Sequence, residues 1–302
     1  MLHLFILNKN AGKNKRYEIL SRQLEKLGGV EILFTEHKGH AAEIAEEFVR
    51  NADDFVTVYA CGGDGTINEV LNGVYRYENC AVAPIPVGSG NDFVRSFCDD
   101  SDRFLNLEDM MNGKIVEVDL LKCNDKISGN SVTVGYDCAV AKNVDKFKHI
   151  KLISSGFAYK LSIFYCLLTK RKHYFRTLTD GREVRRDKPC LLSVCAKGKY
   201  YGGGIKCAPL ADNSDGMIDF MYIPTIGVLK FVSLLPSFVK GKHIDNPKMS
   251  FVRHEKVSTV EYIGTEPFEI GIDGEIFTVD RAKIEVLKKA QKIVIPKNSS
   301  KN

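Results

Sequence analysis

Three glycines surround one aspartate in Gly62-Gly63-Asp64-Gly65-Thr66, between the apolar run Phe55-Val56-Thr57-Val58-Tyr59-Ala60 and a helix-like run from Ile67 to Val74. A strand that ends in a glycine turn and continues as a helix puts close-approaching backbone and free N–H groups at a helix N-terminus, a place that favours an anion. Asp64 would repel a phosphate there unless a hard cation bridged the two, and magnesium commonly arrives with substrate phosphates. The turn therefore reads as a nucleotide-phosphate and Mg²⁺ site. Thr66 and Glu69 also fit a capping box, and Gly-Asp-Gly turns are common, so the turn alone leaves a plain helix start open.

The flanking sequence narrows the choice. Leu2–Leu7 reads as a buried strand, followed by the polar loop Asn8-Lys9-Asn10-Ala11-Gly12-Lys13. Tyr17, Leu20, Leu24 and Leu27 fall at helical spacing, and Gly28-Gly29 ends that helix. Val30–Phe34 predicts a second strand, and Ile44, Ala45, Phe48 and Val49 a second helix. Alternating strands and helices with short loops predict a parallel α/β sheet whose ligand lies at the carboxyl ends of the strands, where Asn8–Gly12, Thr35–His40 and Gly62–Thr66 all fall. Val82–Val87 then leads into a second glycine loop with an acid, Gly88-Ser89-Gly90-Asn91-Asp92-Phe93.

After Val116-Glu117-Val118-Asp119-Leu120 the pattern changes. Ser131–Gly135, Tyr174–Leu178, Cys190–Ala196, Met217–Ile223, Val257–Ile263, Phe268–Ile272 and Ile284–Leu287 predict strands without regular helices between them. The expectation is an antiparallel β domain with helical insertions near Ile150–Thr169 and Ile226–Lys240. The chain thus divides into residues 1–121, 122–296 and a disordered tail, 297–302. Asp212-Asn213-Ser214-Asp215-Gly216-Met217 is either a hard-metal clip or an Asx turn without an ion. Gly271-Ile272-Asp273-Gly274-Glu275-Ile276 is either a hairpin turn or a place that presents a general base.

Composition sets the compartment. The 302 residues are 44% hydrophobic, enough for a packed core. Nine scattered cysteines with no C-x-x-C pair suit reduced thiols in a cytosolic protein. No signal peptide is evident, and Lys160 and Lys230 interrupt the best candidates for a membrane span. The net charge of +5 suits an anionic membrane surface without calling for nucleic acid.

In this order and spacing the chain resembles the diacylglycerol kinase catalytic family. The resemblance rests on Gly62–Glu69, Pro86–Phe93, Val118-Asp119, Gly135-Tyr136-Asp137, Asp212…Asp215-Gly216 and Asp273-Gly274-Glu275, and spans nearly the whole chain. It implies a Rossmann-like α/β domain, similar to NAD kinases and phosphofructokinases, joined to a mostly antiparallel β-sandwich. It also implies ATP-dependent phosphorylation of a lipid hydroxyl, diacylglycerol first, by a cytoplasmic protein working at the inner face of the membrane.

By that resemblance ATP would contact Asn8, Lys9, Asn10, Ala11, Gly12, Thr35, Gly62, Gly63, Asp64, Gly65, Thr66, Ile67, Asn68 and Ser89. Asp64, Asp92 and Asp119 would hold the catalytic Mg²⁺. Asp212, Asp215 and the carbonyl of Met217 would hold a structural Mg²⁺. Asp273, with Glu275 second, would accept the hydroxyl proton. Lys9 stands where the family usually has proline, and Ser89 replaces the commoner threonine, which keeps the hydroxyl.

The apolar insertion with Phe157, Tyr159, Leu161, Ile163, Phe164 and Tyr165 is expected to line the lipid cleft. Its neighbours Lys146, Lys148, Lys151, Lys160 and Lys170-Arg171-Lys172 form either an anionic-lipid contact or a solvated basic face. Sphingoid base, polyprenol and NAD stand as alternative acceptors, and a non-catalytic nucleotide- or lipid-binding regulator as a rival class. Homodimerisation is compatible with the sequence and undecided by it.

Overall fold

A computed structural model of the chain describes residues 1–9, 11, 15–98, 100–148, 155–184 and 189–297. The expectations for Asn10, Gly12, Lys151 and residues 298–302 fall outside the described residues, as do the side chains of Lys148, Phe157, Tyr159 and Lys160.

The N-terminal half is the expected alternation: β1 (Leu2–Leu7), α1 (Lys15–Leu24), β2 (Glu31–Phe34), α2 (His40–Arg50), β3 (Val56–Gly62), α3 (Asp64–Val74) and β4 (Cys80–Pro86). The four strands are parallel in the order β4-β3-β1-β2. β3 and β4 are buried along their whole length, as strands covered on both faces must be. In α3, Ile67, Val70, Leu71 and Val74 fall at i, i+3, i+4 and i+7 and turn one buried stripe to the sheet.

Thr66 and Glu69 do not form a capping box. The helix begins earlier, at Asp64, and Glu69 reaches across to the start of α2, accepting from Gly39 N at 2.9 Å and Ala41 N at 3.2 Å. It therefore satisfies orphan amides of the neighbouring helix, and the two helices are locked at the end where the strands stop.

Short helical turns and α4 (Leu107–Met111) lead into β5 (Lys114–Cys123), β6 (Lys126–Ser128) and β7 (Ser131–Gly135). Next come α5 (Tyr136–Lys148), α6 (Ser155–Thr169), β8 (Phe175–Thr179), β9 (Arg182–Glu183), β10 (Cys190–Ala196), β11 (Ile218–Pro224) and α7 (Val228–Val239). The chain ends in β12 (Arg253–Val257), β13 (Thr259–Ile272) and β14 (Glu275–Ile295). The second half is antiparallel, with β12-β11-β10-β7-β13-β14 in sequence and β5 against β14.

β13 shifts register between Ile263 and Phe268, and its first part pairs β8 while its last residues pair β7. One strand thereby serves both layers of the sandwich. Val132, Cys195 and Phe220 from one set of strands pack with Leu121, Phe175 and Ile284 from the other in a single core.

The expected short strands 257–263 and 268–272 are one, β13, and 284–287 is the middle of β14. β5 runs through residue 121, and β14 returns to the first half, pairing β4 in parallel at Ile293–Val82. Ile293 and Val294 lie in the core of the α/β half. This join fixes the β13–β14 turn over the carboxyl ends of the parallel strands. The helix α5 was missed, because the small residues Cys138, Ala139 and Ala141 give it a weak apolar period.

Candidate active site

The two glycine loops close on each other. A Cβ on Gly88 would sit 2.5 Å from Gly63 Cα, and one on Gly90 would sit 2.7 Å from Asp64 Oδ2. Only glycine allows that approach, and the loops with their carboxylates form one wall of a cleft of about 580 Å³. Ala11, Gly63, Asp64, Gly65, Ile67, Asn68 and Ser89, all expected at the nucleotide, line it.

Asn8 and Thr66 brace the wall from behind, with Asn8 Nδ2 donating to Thr66 Oγ1 at 3.1 Å. A side chain on Gly62 would strike that same Oγ1 at 2.2 Å. Lys9 lies over the Phe34 ring, and Thr35 N donates to Leu7 O beside it. Ile67 N already donates to Gly63 O, so the orphan amides at this helix start belong to Asp64, Gly65 and Thr66.

Asp64 and Asp92 belong to one constellation. Asp64 Oδ1 accepts from Phe93 N at 3.1 Å, and Asp92 Oδ2 from Gly203 N at 2.7 Å. Burial pushes the Asp64 carboxyl up to about 6; the Phe93 N–H works against the rise, and the Asp92 and Asp273 charges add to it. Asp92 Oδ1 is buried without a hydrogen-bond partner. Two crowded carboxylates, one of them with an oxygen that meets only the Arg95 guanidinium at 3.9 Å, fit a Mg²⁺ ion.

Asp119 does not join them. Its N–H donates to Asn213 O at 2.7 Å, its Oδ2 accepts from Gly216 N at 2.6 Å, and it pairs with Lys197 Nζ at 3.0 Å. It therefore stands with the Asp212–Met217 turn. Lys197 Nζ also contacts Asp215 Oδ1 at 2.9 Å and Met217 O at 2.7 Å. Asp212 Oδ1 is turned to Ser214, whose N and Oγ donate to it at 2.9 and 2.7 Å. An ammonium group already sits among oxygens expected to hold a second Mg²⁺, so these residues do not fit that ion.

The β13–β14 turn separates its two acids. Asp273 Oδ1 accepts from Ser128 Oγ (2.6 Å), Ser131 N (2.9 Å) and Asn130 N (3.2 Å), and its Oδ2 from Asn68 Nδ2 (2.7 Å) and Gly129 N (2.8 Å). Burial raises its pKa against those donors. Five donors leave this carboxylate little lone-pair density for a substrate proton. Asp273 holds φ +46° and Gly274 φ +88°, a left-handed pair that carries the next residue outward. Glu275 is 31% exposed and pairs with the exposed Lys38 at 2.9 Å.

The other side of the cleft comes from the sandwich half: Asn130, Ser131, Thr133, Asp137, Tyr201 and Gly203. Gly202-Gly203-Gly204, three consecutive glycines after two tyrosines, is a part of the site not expected from the sequence. All three have positive φ, and Gly203 supplies the donor to Asp92. Asp137, at the start of α5, has a buried Oδ1 without a hydrogen-bond partner, and burial raises its pKa. It and Tyr201 also line a second, apolar cavity of about 220 Å³, walled by Val140, Leu192, Phe231, Leu234, Phe238 and Met249 among others. Of the expected insertion residues, Ile163 faces this cavity, while Phe164 is 60% exposed.

A third, more polar groove is lined by Lys142, Lys146, Lys170, Lys172 and His173. Among the described residues no helix is long and apolar enough to cross a membrane.

Comparison with known proteins finds matches for both halves of the chain. Residues 3–123 match the diacylglycerol kinase catalytic domain, and residues 130–295 match the YegS C-terminal NAD kinase beta sandwich-like domain. A Bacillus subtilis (strain 168) protein provisionally named lipid kinase YtlR is 26% identical, across 90% of this chain and 92% of its own. The diacylglycerol kinase of the same organism is 25% identical, across 98% and 96%. A solved structure from Bacillus anthracis str. Sterne, provisionally named a diacylglycerol kinase, superimposes with a TM-score of 0.76 at 22% identity, across 99% and 98%, and so shares the fold.

Proposed function

The chain belongs to the diacylglycerol kinase catalytic family, and from that premise we propose that it transfers the γ-phosphate of ATP to the hydroxyl of diacylglycerol, giving phosphatidic acid. One observation carries the choice of a lipid over a soluble acceptor: the apolar cavity opens beside the polar cleft, and Asp137 and Tyr201 line both. An acyl chain would occupy the cavity while its glycerol end lies at the carboxylates.

The residues divide the work. The start of α3 and the backbone at Gly63–Gly65 receive the phosphates, where free N–H groups and the helix dipole oppose their charge. Asp64 and Asp92 would hold Mg²⁺, which when bound neutralises charge on the transferring phosphoryl group. Asp137, with an oxygen to spare, orients the acceptor by a hydroxyl. Glu275 accepts the proton of the attacking hydroxyl, a role that typically contributes about 10²–10⁴-fold. Asp273, first choice from sequence, instead positions Glu275: its five hydrogen bonds fix the turn that presents the glutamate. Lys142, Lys146, Lys170 and Lys172 would meet anionic headgroups when the protein works at the inner face of the membrane.

The test is label transfer from γ-labelled ATP, with Mg²⁺, to mixed micelles of diacylglycerol, sphingosine, ceramide or undecaprenol, and to NAD in solution. Labelled phosphatidic acid, lost in Glu275→Gln and Asp64→Asn, supports the proposal. Label in NAD and in none of the lipids overturns it.

A further inference from the structure

Lys197 follows directly on strand β10 and has no exposed surface. A buried lysine is costly unless paired, and this one is paired three times. Its Nζ lies 3.0 Å from Asp119 Oδ2, 2.9 Å from Asp215 Oδ1 and 2.7 Å from Met217 O. Three oxygens around one nitrogen match the three N–H donors of an ammonium group, at hydrogen-bond lengths well beyond the 2.0–2.1 Å or so of a magnesium–oxygen bond.

We infer that Lys197 is a built-in cation that takes the place of a divalent ion in the Asp212–Met217 turn, so that this turn is held together without metal. The surroundings agree. The second oxygen of Asp215 is taken by Lys256 Nζ, which also lies 3.6 Å from Asp219 Oδ2. A divalent ion entering here would meet two ammonium groups within a hydrogen bond of the same carboxylate. Asp119 is fixed besides by Gly216 N and by Lys289 N at 2.9 Å, so it has little freedom to turn toward an added ion.

The lysine also joins parts that a metal-held turn would join. Asp119 lies on β5, Lys197 just after β10, Met217 just before β11, and Lys289 on β14. Lys197 N donates to Asn130 O at 2.9 Å, and Asn130 N donates to Asp273 Oδ1 at 3.2 Å. The internal cation is therefore two residues from the turn that presents Glu275, and that link does not depend on free metal. The inference does not rest on the identity of the phosphate acceptor, since it is read without substrate.

The experiment counts Mn²⁺ bound to the nucleotide-free full-length chain by equilibrium dialysis with paramagnetic detection. Asp215→Asn is expected to bind as much Mn²⁺ as the wild type. Lys197→Asn takes the ammonium away from Asp119 Oδ2, Asp215 Oδ1 and the Met217 carbonyl, and is expected to gain about one Mn²⁺ per chain, lost again in the Lys197→Asn/Asp215→Asn double variant. Loss of about one Mn²⁺ in Asp215→Asn relative to wild type would show an ion in the turn despite the lysine and would overturn the inference. A folded Lys197→Asn chain that gains none would overturn it too. If that variant does not fold, the comparison of wild type with Asp215→Asn decides alone.

Discussion

Asn68 Nδ2 donates to Asp273 Oδ2 at 2.7 Å, so the helix that starts at the first glycine loop is bonded directly to the β13–β14 turn of the other half. The bond ties the phosphate-facing wall to the turn that presents the proposed base. It also separates the roles of two acids that lie two residues apart. Asp273→Ala strands donors from Asn68, Ser128, Gly129, Asn130 and Ser131, and is expected to cost at least about 3 kcal/mol of stability in a denaturant titration. Glu275→Gln removes a carboxylate paired with the exposed Lys38, so its unfolding midpoint should match wild type while turnover falls about 10²-fold or more. Glu275→Gln with full turnover would return the base role to Asp273.

The glycine loops give a second prediction, because their glycines are constrained for different reasons. A methyl on Gly88 meets Gly63 backbone at 2.5 Å and must push the loops apart, whereas one on Gly65 meets nothing within 4 Å in the protein. Gly88→Ala should therefore lower both the melting temperature and nucleotide affinity, the latter by about tenfold or more. Gly65→Ala should leave the melting temperature at or above that of wild type, since alanine favours a helix start, while still weakening nucleotide binding because its methyl fills space next to the phosphates. Calorimetric titration with a non-hydrolysable nucleotide reads both. Undiminished affinity in Gly65→Ala would place the phosphates elsewhere.

Features set by neighbours in the chain could be read before the structure. The strand–glycine–helix passages at Gly62–Thr66 and Val87–Asp92 are local, and the parallel half follows from them. Where partners lie far apart along the chain, the sequence was ambiguous. Asp119 sits within the run Val116–Leu120, and nothing in its surroundings told that Lys197 and Gly216 would claim it. Glu69 sits three residues after Thr66, yet its partners are amides of another helix. β14 alternates charged and apolar residues over a long span, and only the sheet shows that its far end closes the first half's core. The cation at the metal turn is the sharpest case, since a lysine after a strand looks like a surface residue.

His243 gives a pH prediction. It is 1% exposed and packs on Phe238 with ring centroids 4.8 Å apart. Burial lowers its pKa from the ordinary 6.5, with His254 adding to the fall and the backbone at Cys207 and Phe238 opposing it. The folded chain thus resists a proton that the unfolded chain accepts. Stability is unaffected by this group above pH about 6.5 and falls below it, by up to about 1.4 kcal/mol per pH unit until the folded-state pKa is reached. Replacing His243 by Phe should flatten that part of the pH–stability curve. An unchanged slope in His243→Phe would assign the acid limb to other groups.

The junction of the two cavities gives the last prediction. Asp137 lines both the polar cleft and the apolar cavity, and its Oδ1 has no hydrogen-bond partner within the protein. A buried acceptor without a donor is destabilising in the free protein and is relieved by a substrate hydroxyl. Asp137→Ala, which removes the acceptor, should therefore raise KM for the lipid by about tenfold or more, because a site built to hydrogen-bond a hydroxyl discriminates strongly once that bond is lost. KM for ATP should stay within about twofold, since the nucleotide loops lie on the opposite wall. Leu234→Trp, which fills the apolar cavity, should raise KM for long-chain diacylglycerol more than for a short-chain analogue. Equal effects of Leu234→Trp on both chain lengths would move the acyl chain out of this cavity, and an unchanged lipid KM in Asp137→Ala would leave orientation of the hydroxyl to the carboxylates across the cleft.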